Sequence, residues 1–390
     1  MDDLLDLAIV TETYPPEVNG VARTIAVMVH GLVERGHKVS LYRPKQPGES
    51  VIDGLPNFKT KLLPGLVLPF YPEVRMGWPR YRFFLKTWKK NPPELVHVVT
   101  EGPLGWAAVR AANRLKLPVV SDFHTNFHTY SRYYKMGLGQ KLVSSYLRNL
   151  HNRTLCTMVP TLSLKHAMEK NGYQRLSVVG RGVDTKLFDP KRRHTALRES
   201  WQVAPEDPVC LYVGRLAAEK NLSIVAEAFK AFSALNPKAK LVLVGDGPMR
   251  NKLRQMFPSA IFAGVRRGES LARYYASADI FLFPSLSETF GNVVMEAMAS
   301  GLAVLAFNDA AAGTYIKSGE TGMLVEPENI AGFAQAAGRL AEMPEAWRSW
   351  GGAARNVAVN CTWENVVDDL LKVFTESLSL KGAYPCKAIV

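Results

Sequence analysis

The feature that most restricts how this chain can fold is an alternation between short β-branched, apolar runs and longer amphipathic segments. A parallel strand buried on both faces reads as a continuous apolar run, and its crossover connection needs a helix. The alternation occurs twice. LAIVTE, KVSLYRP, LVHVVT, PVVSDFH, TMVPT and SVVGRG form the first series, and VCLYVG, KLVLVG, AIFAG, IFLFPS, AVLAF and GMLVEP the second. A length of 390 residues also suits two cores better than one. The expectation is an α/β protein of two Rossmann-like doubly wound domains, over 1–188 and 205–361, with a last helix, about 362–390, crossing back onto the first. The link is placed at 189–208, DPKRRHTALRESWQVAPEDP, where charge and proline replace the regular pattern. Within the first series TIAVMVHGLVERG reads as a helix ending on Gly36.

Charge narrows the partners. The 48 Lys and Arg exceed the 35 Asp and Glu, giving +13 and calling for something anionic. The densest basic run, Arg75 to Lys90 within EVRMGWPRYRFFLKTWKK, interleaves Arg80, Arg82, Lys86, Lys89 and Lys90 with Trp78, Tyr81, Phe83, Phe84 and Trp88. That mixture suits an anionic membrane surface, where rings insert and cations meet phosphates. It equally suits a helix packed by its rings with a solvated basic face. Nucleic acid is not expected, since no helix-turn-helix, zinc-finger, RNP or KH signature accompanies the charge. The start, MDDLLDLAIV, is acidic where an export signal is basic, and no apolar run approaches the roughly 18–20 residues of a membrane span. The expectation is a cytoplasmic protein whose membrane contact is peripheral, on the inner face of the cell membrane. Cys156, Cys210, Cys361 and Cys386 are scattered without metal-ligand spacing, so no metal site is expected.

Chemistry concentrates in the second series. In LYVGRLAAEKN a strand ends at Gly214, and Arg215 and Lys220 follow, where two cations could clamp a diphosphate. Ligands of open parallel sheets bind beyond the carboxyl ends of strands, and helix N-termini there favour anions. Taken alone, the pair reads as surface charge. In SLSETFGNVVMEAMASG, Glu288 lies on the loop and Glu296 over a turn into the next helix, which opens near Gly291. Glu288 can accept hydrogen bonds from sugar hydroxyls, while the amides of Phe290, Gly291 and Asn292 face a phosphate. Glu296 can take paired hydrogen bonds from a ribose. Two carboxylates near a helix start could instead only complement its dipole; the upstream cations and Gly291 favour the ligand-binding reading.

GRLAAEKN, VGDGPMRNKL and ETFGNVVMEAMASG resemble the nucleotide-sugar half of glycosyltransferase family 4, and ETYPPEVNGVARTI resembles its N-terminal glycine loop. FYPEVRMGWP, DFHTNFHTY and GRGVDTKLF look closest to GDP-mannose-dependent α-mannosyltransferases and sulfoquinovosyl-diacylglycerol synthases. The resemblance implies a GT-B fold, its two domains facing across a cleft, and a retaining hexosyl transfer without a metal cofactor, from a nucleotide-diphosphate sugar to a lipid or glycan hydroxyl. On that pattern Arg215 and Lys220 neutralise the diphosphate and Gly20 lets the backbone approach it. Glu288 binds the sugar and Glu296 the ribose. Gly245, Asp246 and Gly247 shape the nucleoside edge, Arg266 lies near the base, and His124 meets the sugar from the other domain. His128, four residues on, competes for that last role.

GDP-mannose leads as donor. The alternatives are a UDP-sugar-dependent diacylglycerol glycosyltransferase, glucosyl, glucuronosyl or sulfoquinovosyl, and a non-catalytic protein binding a nucleotide sugar or an anionic membrane. A nicotinamide oxidoreductase is disfavoured, because TETYPPEVNG lacks GxGxxG after the first strand. One departure from the family pattern stands out: Ala311 and Ala312 occupy a Gly-Gly position on the donor side.

Overall fold

The computed structural model describes residues 4–17, 19–46, 49, 55–68, 71–124 and 139–380. They form two compact units. One takes in the described residues up to 180 together with those from 363 onward, and the other spans Arg181–Thr362.

The first unit is built on a seven-stranded parallel sheet of order β3-β2-β1-β6-β7-β8-β9. Its strands are β1 (Asp6–Val10), β2 (Lys38–Pro44), β3 (Phe58–Leu63), β6 (Leu95–Val98), β7 (Val119–Asp122), β8 (Cys156–Val159) and β9 (Leu176–Val178). An antiparallel hairpin, β4 (Gly65–Leu68) and β5 (Tyr71–Gly77), stands apart from the sheet. The described helices are α1 (Gly20–Glu34), α2 (Tyr81–Lys90), α3 (Pro103–Leu115), α4 (Gly139–His151), α5 (Leu162–Lys170) and a last helix, Trp363–Ser379. Because side chains alternate across a strand, β1 serves both faces. Leu7 and Ile9 pack with α1 and the last helix, whereas Ala8 and Val10 pack with α2 and α3.

Two readings change here. Strand β3, FKTKLL, and the hairpin do not appear among the expected strands; β3 is an edge strand whose lysines face solvent, so it lacks the continuous apolar run. In α2 Phe84 and Trp88 are core, and Tyr81 and Phe83 are partly buried against it. Phe84 and Trp88 are 0% and 1% exposed and stack at 4.6 Å, with Tyr42 edge-on to both. Rings held inside the fold do not insert into lipid, so that part of the membrane reading is corrected. Trp78, before the helix, stays 51% exposed.

The second unit has a six-stranded parallel sheet of order β12-β11-β10-β13-β14-β15. Its strands are β10 (Val209–Val213), β11 (Lys240–Val244), β12 (Ile261–Gly264), β13 (Ile280–Phe283), β14 (Ala303–Phe307) and β15 (Gly322–Val325). The helices are α6 (Thr195–Ser200), α7 (Leu222–Leu235), α8 (Arg250–Met256), α9 (Gly268–Ala276), α10 (Asn292–Ala299), α11 (Ala310–Tyr315), α12 (Ile330–Ala341) and α13 (Pro344–Ala358), which makes the last helix of the first unit α14.

The segment read as a link, 189–208, instead packs into this unit. Trp201 is buried in its core, and the buried Arg198 donates to the carbonyls of Ser277, Ala204 and Asp207 at 2.7–2.8 Å and to Asp279 at 3.2 Å. A guanidinium has five donors in a fixed fork, and here neighbouring carbonyls meet most of them, so a charged sequence folds inward. The chain passes between the units at Gly180 and Arg181.

Candidate active site

In the second unit the strand order reverses between β10 and β13, so the loops leaving their carboxyl ends diverge and open a crevice. The loop after β10 carries Gly214, Arg215 and a turn of 3-10 helix at Ala218–Lys220; the loop after β13 carries Ser285, Ser287 and Glu288. Side chains join the two. The Lys220 ammonium lies 2.5 Å from Oε1 of Glu288 and 3.3 Å from Oγ of Ser287, and the Ser285 hydroxyl donates to the same Glu288 oxygen at 2.9 Å. Asn221 donates to the Pro284 carbonyl at 3.0 Å, and Ser287 to the Glu219 carbonyl at 3.2 Å. Arg215, half exposed, is 3.8 Å from the buried carboxylate of Glu219.

The neighbouring loops are held by main chain. Gly214 N–H donates to Val244 O at 3.0 Å, Leu216 N–H to Asp246 O at 2.9 Å, and Gly245 N–H to Gly264 O at 2.9 Å. The approach is so close that a Cβ on Gly245 would fall 1.9 Å from the Gly214 carbonyl oxygen, which only glycine avoids. Beneath them the Tyr212 hydroxyl donates to Arg215 O at 3.1 Å. Burial, with Glu288 and Glu219 nearby, pushes its pKa well above the usual phenol range, so it remains a neutral donor. The Asp246 carboxyl is exposed and held below the usual range by the Gly247 N–H and by Arg250, whose Nη1 is 2.8 Å away.

Helix α10 begins at Gly291, whose φ of +88° and ψ of +64° lie in the left-handed region. The Phe290 ring is buried against Tyr315, and its carbonyl accepts from Ala311 N–H at 2.8 Å. Glu296, 7% exposed, accepts a hydrogen bond from Tyr275 at 3.0 Å. Arg266, two residues beyond β12, lays its guanidinium over the Tyr274 ring at 5.3 Å.

Thus Arg215, Lys220, Gly245, Asp246, Gly247, Arg266, Glu288, Phe290, Gly291 and Asn292 lie on loops or at a helix start at the carboxyl ends of one sheet, and Glu296 lies a turn into α10. Gly20 and His124 belong to the first unit. Gly20 opens α1, behind Asn19, whose side chain accepts Ala22 N–H at 2.7 Å and donates to Thr13 at 2.9 Å. His124 is 7% exposed, with Nε2 3.1 Å from Oδ2 of Asp122. His97 Nε2 is 3.2 Å from the same oxygen. Burial would raise Asp122, but the two imidazoles outweigh it and hold the carboxyl well below its usual range. His128 lies outside the described residues, as does Cys386.

Sequence reasoning missed Asp309, after β14. It caps α11 through Ala310 N–H at 2.8 Å and, with Ser285, Glu288 and Phe290, lines a small cavity. Burial raises its pKa, and the Glu288 charge adds to this. An Asp between a strand-like run, AVLAFN, and a helix-forming AAAG was the available signal.

Comparison with known proteins covers both units. Residues 18–187 match the family model Glycosyltransferase Family 4, and residues 207–343 match Glycosyl transferases group 1. A GDP-mannose-dependent alpha-mannosyltransferase of Mycolicibacterium smegmatis is 32% identical over 371 residues, 94% of this chain and 96% of that protein. A sulfoquinovosyl transferase of Arabidopsis thaliana is 31% identical over 271 residues, 67% of this chain and 52% of that protein. Among solved structures, sucrose-phosphate synthase from Thermosynechococcus elongatus has the same fold, with a TM-score of 0.74 at 20% identity over 96% of this chain and 99% of that one. Agreement that runs through both sheets and nearly the full length makes this chain a member of glycosyltransferase family 4, a GT-B enzyme that transfers a glycosyl group.

Proposed function

We propose that the enzyme is a retaining transferase that moves α-mannose from GDP-mannose to a hydroxyl of a lipid or glycan acceptor. The observation that carries the reading is the contact of Lys220 with Glu288 across the crevice where the strand order reverses. A cation beside a carboxylate is the pairing that a diphosphate adjoining a hexose would call for, and this supports the reading. The mannosyltransferase relative, alike over nearly all of both chains, supports GDP-mannose as donor.

In this reading Arg215 and Lys220 stabilise negative charge building on the departing diphosphate, in a site prepared before the reaction. The N-terminus of α10 at Gly291 and Asn292 adds its dipole. Glu288 accepts from hexose hydroxyls, Glu296 from the ribose, and the Gly245–Asp246–Gly247 turn and Arg266 border the nucleoside. Gly20 and His124 are assigned to the donor from the first unit. The cations take the part that a divalent ion plays in metal-dependent transferases. For retention, the acceptor hydroxyl attacks from the face the diphosphate leaves, and its proton passes to the leaving phosphate oxygen.

A second reading, glycolipid synthesis with another hexose, is favoured by the match to the sulfoquinovosyl transferase. Either way a lipid acceptor calls for peripheral membrane contact, since no described helix is long and apolar enough to cross a bilayer. Thermal unfolding with GDP, UDP, ADP and NAD tests the donor, because a ligand that binds the folded state raises its stability by mass action. GDP should raise the midpoint most, and mannose should transfer from GDP-mannose with retention. A response to UDP alone moves the enzyme to the second reading.

A further inference from the structure

The segment GRGVDTKLF, at 180–188, brings the chain into the second unit and ends on Phe188. Its backbone is closed on itself. The Asp184 carboxylate accepts the N–H of Leu187 at 2.9 Å and of Lys186 at 3.1 Å, and Phe188 N–H donates to Asp184 O at 2.8 Å. The turn fixed in this way delivers a ring to the interior: Phe188, 1% exposed, meets Tyr275 of α9 edge-on at 5.5 Å. Phe281 of β13 packs on the same tyrosine at 5.8 Å, and Tyr275 is fully buried.

The Tyr275 hydroxyl leaves these apolar surroundings for a carboxylate. It donates to Oε2 of Glu296 at 3.0 Å, with Val293 O further off at 3.5 Å. Tyr274, one residue earlier, turns elsewhere; its ring lies under Arg266 at 5.3 Å and against Trp201 at 5.5 Å. Burying a carboxylate is costly unless donors meet it, and a glutamate side chain loses rotamer freedom when it is fixed. A phenol supplies a hydrogen bond without bringing a positive charge, so it orients the carboxylate and leaves its charge in place.

One guanidinium holds the frame around this bond. Arg355 of α13 donates through Nη1 to Phe188 O and to Ala299 O, each at 2.6 Å, and through Nη2 to Thr185 O at 3.0 Å and to Asp189 at 3.1 Å. Ala299 is the last residue of α10, the helix that carries Glu296. The segment behind Tyr275 and the helix in front of it are therefore pinned to the same side chain, which sets the gap that the hydroxyl spans.

We propose that Tyr275, backed by Phe188, is a positioning residue for the nucleotide: its hydroxyl holds the Glu296 carboxylate in the orientation that accepts the ribose hydroxyls. The segment 180–188 thereby acts on the donor through a ring and not by contact. This rests on the reading of Glu296 as the ribose ligand and adds to it the group that sets its geometry. Fixing a polar side chain before its ligand arrives lowers the ordering cost of binding, so loss of the hydroxyl weakens nucleotide binding and leaves the chemical step alone.

Calorimetric titration of the full chain with GDP and with 2′,3′-dideoxy-GDP isolates the ribose hydroxyls, in which alone the two nucleotides differ. The unaltered enzyme should bind GDP more tightly by about tenfold or more, the scale of hydrogen bonds to a charged group. Tyr275→Phe removes one oxygen and keeps the ring. It should weaken GDP by about tenfold, while dideoxy-GDP changes by less than about twofold, since the lost hydroxyl then has no ribose contact to act through. In steady-state transfer the same variant should raise KM for the donor and leave kcat, the mark of binding shared by ground and transition states. In a Glu296→Gln background, Tyr275→Phe should add no further loss, which closes a double-mutant cycle. Phe188→Leu loosens the ring without touching the bond, and should give a smaller loss of the same ribose-dependent kind.

Thermal melts on each variant separate folding from binding. A purely structural bond would lower the melting midpoint and weaken both nucleotides alike. That result, unchanged GDP binding, or a fall in kcat at constant KM overturns the proposal. An unaltered enzyme that binds the two nucleotides equally fails at an earlier point: it removes Glu296 from the ribose, and this inference with it. If UDP binds in place of GDP, the GDP-mannose reading falls, and the same cycle with UDP and 2′,3′-dideoxy-UDP decides the part played by Tyr275.

Discussion

Oε1 of Glu288 receives two donors at once, the Lys220 ammonium at 2.5 Å and the Ser285 hydroxyl at 2.9 Å, while Lys220 also reaches Ser287. The carboxylate therefore has a fixed orientation, and the ammonium is held between the loops that follow β10 and β13.

Replacing Lys220 by Ala should lower kcat by roughly 10²–10³, the usual loss when one preorganised donor to developing negative charge is removed. The fold should remain, because Ser285 still holds Glu288. Steady-state kinetics and a thermal melt on the same preparation check this; near-normal turnover removes Lys220 from the clamp.

Glu12 offers a pH prediction. Its carboxylate accepts the N–H groups of Gly77 and of Leu104, the latter at 2.9 Å, and burial pushes its pKa from 4.5 up to about 7 against those two hydrogen bonds. A pKa raised on folding gives stability that is complete below about 4.5 and lost as pH rises through about 7. The group should account for a decline of about 3 kcal/mol between those limits. Denaturant titrations across pH should show a shallower decline for Glu12→Gln than for the unaltered enzyme, and parallel curves would reject the assignment.

Gly245→Ala should destabilise the second unit by about 3 kcal/mol or more, since its Cβ would meet a backbone oxygen that cannot swing aside. Gly264→Ala is the control: its φ of +71° carries the backbone strain, but nothing lies within 4 Å of the added carbon. Chemical denaturation should rank Gly245→Ala as the more damaging of the two.

Asp122→Ala should cost about 3–5 kcal/mol, the usual loss when one partner is removed from a buried charged group. His97 and His124 both face its Oδ2, so the variant removes the carboxylate that the two buried imidazoles share. Urea unfolding gives the cost, and a change under about 1 kcal/mol would show that the cluster contributes little.

Much of this was legible in the sequence. Val209–Val213 and Ile280–Phe283 are buried on both faces, so their strands appear as unbroken apolar runs, and the turn residues beyond them mark the carboxyl edge of the sheet. Residues whose surroundings come from distant segments were hidden. Phe84 and Trp88 read equally as inserting or core rings until Tyr42, some forty residues earlier, was seen to pack on them. Arg198 gives no local sign that Ser277 and Asp279 will satisfy it. His124 stood out, but His97, which shares its aspartate, lies on a different strand and gave no signal at all.

The placement of α14 bears on how the molecule comes into being. Val366, Val367, Leu370, Val373 and Phe374 cover Ile9, Ile25, Met28, Val29 and Leu32, so one side of the first sheet is sealed by residues that are made only after the whole of the second unit. Synthesis from the N-terminus leaves that apolar surface open while the whole of Arg181–Thr362, continuous in sequence, is made and can close its own core. The first unit is thus begun before the second and finished after it, and during that interval its open apolar surface is exposed to chaperones and to aggregation.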